Sequence, residues 1–436
     1  MRFYGRREEM ASLLKLSKQS ENSAVFTLLV GRRRIGKTTL VKQTFAGKQI
    51  LYFFVSNKSE QLLCQEFQQT IETTLGLHLY GQVSRFADIL RELMLFCKQR
   101  QLTVMIDEFQ RLYDIRPAIM SEIQNVWDSE KDTSRIHLIA CGSVYSMMLK
   151  IFRDNKEPLF GRATAEIRLQ PFSTELLKTI LAEQHPQYTA EDLLMLYSIS
   201  GGVAKYVELL MDAGAYTKEA MLDYMCQTGS VFLNEGTELL VGEFGKRYQV
   251  YFSIMQLIAN GMTSQSQIDG VIGSNTGRYL VTLEDEYNLI KKVRPMFAKP
   301  NSQGVKYTIQ DNFLTFWFRF VESNRSIVEM GKGDLLKEVI EKGYSVFSGL
   351  MLERYFRQKY AELERVTEVG NWWDSRGENE IDLIAIKRLD KSVVVAEVKR
   401  NEAKINMSAL EEKFSNIRAH FKGYNIEFQP LSLKDM

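Results

Sequence analysis

Gly31-Arg32-Arg33-Arg34-Ile35-Gly36-Lys37-Thr38 stands between the apolar run Ala24–Val30 and the helical pattern Thr38–Phe45. The octet fits G-x-x-x-x-G-K-[ST], in the setting that pattern requires: after a strand and at the start of a helix. Its glycines let the backbone curl tightly enough for successive N–H groups to face one anion. The following helix adds its positive N-terminal end. Lys37 reads as the partner of the outer phosphates and Thr38 as a magnesium ligand. The segment from Gly31 through Thr39 contributes mainly backbone, and the side chains of Arg32, Arg33 and Arg34 read as solvated. The ligand implied is ATP with Mg2+.

Working outward, residues 24–172 alternate short apolar runs with longer amphipathic stretches. The runs are Ala24–Val30, Gln49–Ser56, Thr103–Phe109, Ile136–Ser143 and Ala165–Phe172. Between them lie the helical patterns Glu60–Leu75, Ala87–Arg100 and Pro117–Ser129. Runs rich in Val, Ile, Leu and Phe suit strands buried on both faces, so the reading is a parallel sheet covered by helices. The run Val104-Met105-Ile106 ends in Asp107-Glu108. Acids at the carboxyl edge of a parallel sheet stand where ligands bind. Asp107 is expected to hold the magnesium shell and Glu108 to polarise the attacking water. Ser143, ending the next run, reads equally as a γ-phosphate sensor or a helix N-cap. Arg162 reads as a transition-state cation, in cis or at a neighbour's site, or as a surface ion pair.

With 436 residues the chain exceeds one ordinary core and predicts about three domains. A net charge of +2 excludes bulk electrostatic attraction to nucleic acid, so any such binding needs local patches. The cysteines Cys64, Cys97, Cys141 and Cys226 are scattered without C-x-x-C spacing and read as reduced thiols. The histidines are equally dispersed, which argues against a zinc site. No apolar run approaches the roughly 18 residues of a membrane span, and the charged start MRFYGRREEM lacks a signal-peptide core. A cytoplasmic protein is expected.

Residues 173–235 read as helical, broken at Gly201-Gly202. Then Tyr248–Asn260, Thr263–Val271 and Asn275–Asp285 read as three helices. The strands Leu289–Val293 and Val305–Ile309 follow, joined by a turn over Pro300–Gly304. Three helices and a hairpin suggest a winged helix-turn-helix. It carries Arg278, Lys291, Lys292, Arg294, Lys299 and Lys306 for phosphate contacts, diluted by Glu284, Asp285 and Glu286. Phe313–Val321 is densely aromatic and reads as core. Residues 322–343 read as a linker. A last unit shows a helix over Tyr344–Tyr360, strands around Arg365–Trp372, Glu380–Ile386 and Ser392–Lys399, and a helix from Met407.

Several of these segments together resemble the archaeal-type ATPases, AAA+-related proteins of archaea and some bacteria. The resemblance rests on Phe3-Tyr4-Gly5-Arg6-Arg7-Glu8-Glu9, the loop Val30–Thr38, Ile106-Asp107-Glu108-Phe109-Gln110, Cys141-Gly142-Ser143 and Gly161-Arg162. Gly201-Gly202-Val203-Ala204-Lys205-Tyr206 is similar to the helical lid of that family, which usually has Pro where Ala204 stands. The resemblance implies that Tyr4, Gly5 and Arg6 line the adenine pocket. It also implies a winged helix followed by a nuclease-like domain.

Glu353 on a helix, Asp382 in Glu380-Ile381-Asp382, and Glu397 and Lys399 on one strand form a separate constellation. Residues two apart on a strand share a face, so Glu397 and Lys399 project together. Asp382 and Glu397 would bind Mg2+, Lys399 would orient or deprotonate water, and Glu353 would reach the same shell. The set resembles the PD-(D/E)xK restriction-endonuclease superfamily, with Ile381 where Pro is usual.

The expected architecture is α/β: a P-loop parallel sheet, AAA+/STAND-like, over 1–172; a helical lid over 173–240; a winged helix over 241–325; and a restriction-endonuclease-like domain over 326–436. The leading expectation is an ATPase that couples ATP to DNA binding and phosphodiester cleavage. The competing one is an ATP-driven assembly switch, in a homo-oligomer, whose C-terminal domain binds partners or nucleic acid without cutting. A third is an ATPase with an inert C-terminal fold.

Overall fold

The computed structural model describes residues 2–79, 81, 83–143, 145–244, 248–299 and 304–436. The turn expected over Pro300–Gly304 lies almost wholly outside them. The chain divides into two compact units, Gly5–Gln170 and a second formed by the first four residues with Pro171–Met436.

The Gly5–Gln170 unit holds strands β1 (Val25–Val30), β2 (Ile50–Phe54), β3 (Leu102–Asp107), β4 (Ile136–Gly142) and β5 (Ala165–Arg168). Its helices are α1 (Arg7–Gln19), α2 (Lys37–Thr44), α3 (Glu60–Leu75), α4 (Phe86–Phe96), α5 (Arg111–Ile115), α6 (Ala118–Glu130) and α7 (Tyr145–Arg153). All strand pairs are parallel, in the order β2-β3-β4-β1-β5. β1, β3 and β4 are buried at every position. That is why they read as unbroken apolar runs rather than alternating ones. On one face Phe26 packs against Trp127, Phe152 and Phe109 at ring separations of 4.9, 5.3 and 6.2 Å.

In the second unit α8 (Thr174–Gln184), α9 (Ala190–Ser200), α10 (Ala204–Asp212), α11 (Lys218–Cys226) and α12 (Val231–Phe244) come first. The Gly201-Gly202 break is a steric necessity. Both residues have positive φ, and a Cβ on Gly202 would lie 2.5 Å from the Phe172 carbonyl oxygen. Helices α13 (Tyr248–Ala259), α14 (Gln265–Ile272) and α15 (Gly277–Val281) precede an antiparallel hairpin, β6 (Ile290–Val293) with β7 (Lys306–Ile309). Ser264 and Gln267 form a reciprocal capping box that starts α14. The aromatic segment is core: α16 (Asn312–Phe316) runs into a π-helical turn, and Phe313, Phe316, Trp317 and Phe318 are fully buried.

The linker reading of 322–343 is corrected. α17 (Arg325–Glu329) lies there, and α18 (Gly333–Ala361) starts well before Tyr344. Leu336, Ile340, Tyr344 and Phe347 are buried at helical spacing along α18, and this apolar stripe outweighs the polar composition between them. Strands β8 (Glu368–Trp373), β9 (Glu380–Lys387), β10 (Ser392–Val398) and β11 (Asn425–Leu431), with α19 (Met407–Ser415), complete the unit. The sheet order is β11-β10-β9-β8, with only β10–β11 parallel. Among the described residues no helix is long and apolar enough to cross a membrane.

Candidate functional site

At the carboxyl edge of β1 the chain enters the loop that leads into α2. Gly36, at φ 96°, is the N-cap of α2 and brings no side chain to its first turn, leaving those backbone amides without a side-chain cap. Arg34 takes φ 68°, a conformation costly to a side-chain-bearing residue outside a constrained site. Gly31 has no room for more: a Cβ would sit 3.0 Å from the Leu169 carbonyl oxygen. Ile35 is buried, Arg32 and Arg34 are half-buried, and Arg33 and Thr39 are exposed.

The Lys37 side chain is buried and folded back on its own loop. Its Nζ donates to the carbonyls of Gly31 at 2.8 Å and Arg32 at 3.0 Å. Burial holds its pKa below the usual lysine value, against the attraction of Cys141, Glu108 and Asp107. Thr38 donates its hydroxyl to Asp107 Oδ2 at 2.7 Å, so the two expected magnesium ligands already meet. Tyr52 donates to the same oxygen at 3.1 Å, and burial followed by the Asp107 charge raises its pKa. Glu108, at φ 57°, accepts from the Ser143 hydroxyl at 2.9 Å and the Gln110 amide at 2.5 Å, with Arg111 Nε 4.0 Å away. Of the two roles open for Ser143, its hydroxyl is observed in a third, holding Glu108.

These residues fit a magnesium nucleotide. The glycine cradle, the uncapped helix start and the recessed ammonium suit a polyphosphate, and the Thr38–Asp107 oxygen pair suits a hard cation. Bound there, Mg2+ would neutralise charge on the phosphates.

Tyr52, Gln110 and Arg111 were not legible as site residues. Tyr52 reaches Asp107 only because β2 pairs with β3, which places Phe54 opposite Asp107. Gln110 lay two positions beyond Glu108 and was the one with a sequence cue. Arg162 stands apart. The backbone N–H of Thr164 donates to Phe26, near the start of β1, so Arg162 sits at the amino edge of the sheet. There it pairs with Asp128 at 3.1 Å and donates to the Phe160 carbonyl. Arg6 caps α1 from φ 66° and pairs with Glu9 at 3.2 Å. Gly5 precedes it at φ 64°. Tyr4, in the second unit, is buried and donates its hydroxyl to Glu183 at 2.8 Å.

In the C-terminal sheet the pairing of Ala396 with Leu383 puts Asp382 across from Glu397. Asp382 is buried and accepts from the Val398 N–H at 2.8 Å and Lys399 Nζ at 3.2 Å. Lys399 Nζ also lies 2.9 Å from Glu397 Oε1, and Lys413 from α19 pairs with the other Glu397 oxygen at 3.1 Å. Glu353 on α18 pairs with Arg357 at 3.5 Å, and the same guanidinium donates to the Asp382 carbonyl at 2.9 Å. Burial, then the Asp382 charge, pushes the Glu353 carboxyl up to about 7. The four expected residues are thus brought to one region, with Arg357 and Lys413 as cations the sequence reading missed. Among the described residues no three acid, histidine or cysteine side chains converge on a single metal position. A cation there would rest on the Asp382–Glu397 pair.

Residues 3–210 match a family described as an ATPase domain predominantly from Archaea. Residues 317–416 match a family of archaeal and bacterial proteins of unknown function. An uncharacterised protein of Methanocaldococcus jannaschii is 28% identical over 92% of this chain and 88% of its own length. The Walker-type ATPase of Pyrococcus abyssi shares the fold at a TM-score of 0.55 and 19% identity, over 72% of this chain and 96% of that one.

Proposed function

We propose, from the premise that residues 3–210 make this chain a member of the archaeal-type ATPase family, that it couples magnesium-dependent ATP turnover to the binding and cutting of DNA. The ATPase half of the reading stands on the loop, with Lys37 recessed at the phosphate end and Glu108 held beside it as general base. The observation that carries the second half is the pairing of Asp382 with Glu397 across β9 and β10, with Lys399 within ion-pair distance of both. Two carboxylates and one ammonium at a strand end are the donor set for metal-assisted phosphodiester hydrolysis. Helices α13 to α15 with the β6–β7 hairpin are read as a winged helix whose exposed Arg278, Lys291, Arg294 and Lys299 meet DNA phosphates.

The test assays ATP hydrolysis beside Mg2+- or Mn2+-dependent cleavage for wild type, Lys37→Ala and Asp382→Ala. The reading expects Lys37→Ala to lose ATP turnover and Asp382→Ala to lose cleavage alone. Purified wild type that cuts neither DNA nor RNA overturns the nuclease half. The competing assembly switch is favoured instead if nucleotide changes the oligomeric state and Asp382→Ala leaves that change intact.

A further inference from the structure

The second unit contains a cavity of about 590 Å³ between α13, the strand β7 and α18. Its charged walls are Lys306, Arg319, Glu353, Arg354, Arg357 and Glu380. Lys306 is paired with Glu380 at 3.3 Å and Arg357 with Glu353 at 3.5 Å. That leaves two guanidinium groups. Arg354 donates to the Thr308 hydroxyl, to Asn312 Oδ1 at 3.3 Å and to the Thr315 hydroxyl at 3.2 Å. Arg319 donates to the Ala259 carbonyl at 3.2 Å. Among the described residues neither has a carboxylate within ion-pair distance; every hydrogen-bond partner is neutral. A recessed cation with no ion-pair partner costs stability, Glu353 offering only a more distant attraction, and α18 carries Arg354 where a neutral side chain would avoid the cost. A fixed, planar donor fork facing open volume is suited to phosphate.

We propose that this cavity seats a phosphodiester of single-stranded nucleic acid on Arg319 and Arg354. The strand then passes to the carboxylates beyond, a step that rests on the nuclease reading given above. The β-strand of Asp382 adjoins the cavity wall, since the lining residue Arg357 donates to the Asp382 main-chain carbonyl at 2.9 Å. Its rim offers exposed Val346 and Leu350, one turn apart on α18, as an apolar surface for sugars and bases. The arginines line a recess rather than a ridge. A duplex is a rigid cylinder that cannot bend one backbone into such a space, whereas a flexible single strand tracks a basic groove.

The test uses full-length protein in EDTA, so that nothing is cut, with a fluorescein-labelled fifteen-nucleotide oligothymidylate read by anisotropy over a salt series. Arg319→Gln and Arg354→Gln should each weaken binding by about tenfold and lower the slope of log K against log salt by about 0.7, the value for one lost phosphate contact on a single strand. Arg354 is built into three hydrogen bonds, so that variant is accepted only if its melting curve matches wild type. Arg319, held by one, carries the test if it does not, and Arg319→Lys should recover part of the loss. Unchanged affinity and slope in the Arg319 variants overturn the proposal. Inorganic phosphate at millimolar concentration displacing the strand also overturns it, since the occupant would then be a small free anion. Asp382→Asn separates this proposal from the one beneath it. Strand binding that depends on Arg319 and survives Asp382→Asn, in a protein that never cleaves, leaves the cavity assignment standing and removes the nuclease.

Discussion

The Ser143 hydroxyl at the end of β4 donates to the Glu108 carboxylate at the end of β3, across 2.9 Å. Two neighbouring strands thereby fix the direction of one acid. With the Gln110 amide on the same oxygen, Glu108 is held at a backbone conformation, φ 57°, that side-chain-bearing residues seldom adopt. Orientation of a general base matters as much as its basicity. Glu108→Gln should lower ATP turnover by about 10² to 10⁴-fold with nucleotide affinity retained. On the proposed reading of Glu108 as general base, Ser143→Ala should lower kcat by roughly tenfold with KM unchanged, because the carboxylate is kept and only its aim is lost. Steady-state kinetics beside nucleotide titration checks both. A Ser143→Ala enzyme with wild-type kcat would mean the hydroxyl does not position Glu108.

Gly236 on α12 leaves the space that Trp317 fills. A Cβ there would lie 2.3 Å from the indole ring, and Trp317 is fully buried with its Nε1 donating to the Leu233 carbonyl at 3.1 Å. Gly236→Ala gains helix propensity but must displace the ring, an overpacking that costs about 1–3 kcal/mol. Denaturation of the second unit should shift accordingly, followed by tryptophan fluorescence. A stabilised variant would show that α12 can slide away from the ring.

His137 sits wholly buried on β4, its Nε2 2.9 Å from the Thr27 hydroxyl, and burial pulls its pKa down to about 3. Here the folded chain refuses a proton that the unfolded chain accepts below about pH 6.5. Stability is therefore full above that pH and is lost as pH falls from it towards 3. Between pH 7 and pH 5 the loss amounts to about 2 kcal/mol for the Gly5–Gln170 unit. His137→Gln should be less stable at neutral pH yet show a flatter decline over the same range. A wild-type slope in the variant would assign the acid sensitivity elsewhere.

The parallel sheet was legible because burial on both faces leaves strands with no polar alternation, and the loop because its glycines and Lys37 obey spacing rules set by the phosphate. Asp107, Glu108, Asp382, Glu397 and Lys399 were legible as acids and a base ending apolar strands. Tyr52 and Lys413 were not, because each reaches its carboxylate through strand pairing or helix packing that no local pattern encodes, whereas Arg111 is a local neighbour three residues after Glu108. Arg357 was within reach, four residues after Glu353 on one helix face. The start of α18 was misread because polar residues between Leu336 and Ile340 hid a helical stripe, and β11 was missed although Asn425 to Gln429 alternate polar and apolar, because the run is short and ends at Pro430.

Arg162 carries the last expectation. It follows the Phe160 carbonyl it bonds and precedes β5, whose partner residue Thr27 lies three positions before the end of β1 at Val30. Thr164, two residues after Arg162, donates to the carbonyl of Phe26, four residues before Val30, so at about 3.3 Å per residue Arg162 joins the sheet about 13 Å from the phosphate loop. An arginine side chain cannot span that distance, and Arg162 cannot serve its own site in this arrangement. If it stabilises the transition state, it serves a neighbour's, and Asp128 is the partner it leaves on assembly. Arg162→Ala should then bind nucleotide normally and turn over poorly. Mixing it with Glu108→Gln, itself inactive, should restore turnover in proportion to mixed interfaces, because one chain supplies the base and the other the arginine. Turnover of wild type should also rise with protein concentration. A mixture no more active than its components, with wild-type turnover independent of concentration, would leave Arg162 as the surface ion pair it forms with Asp128.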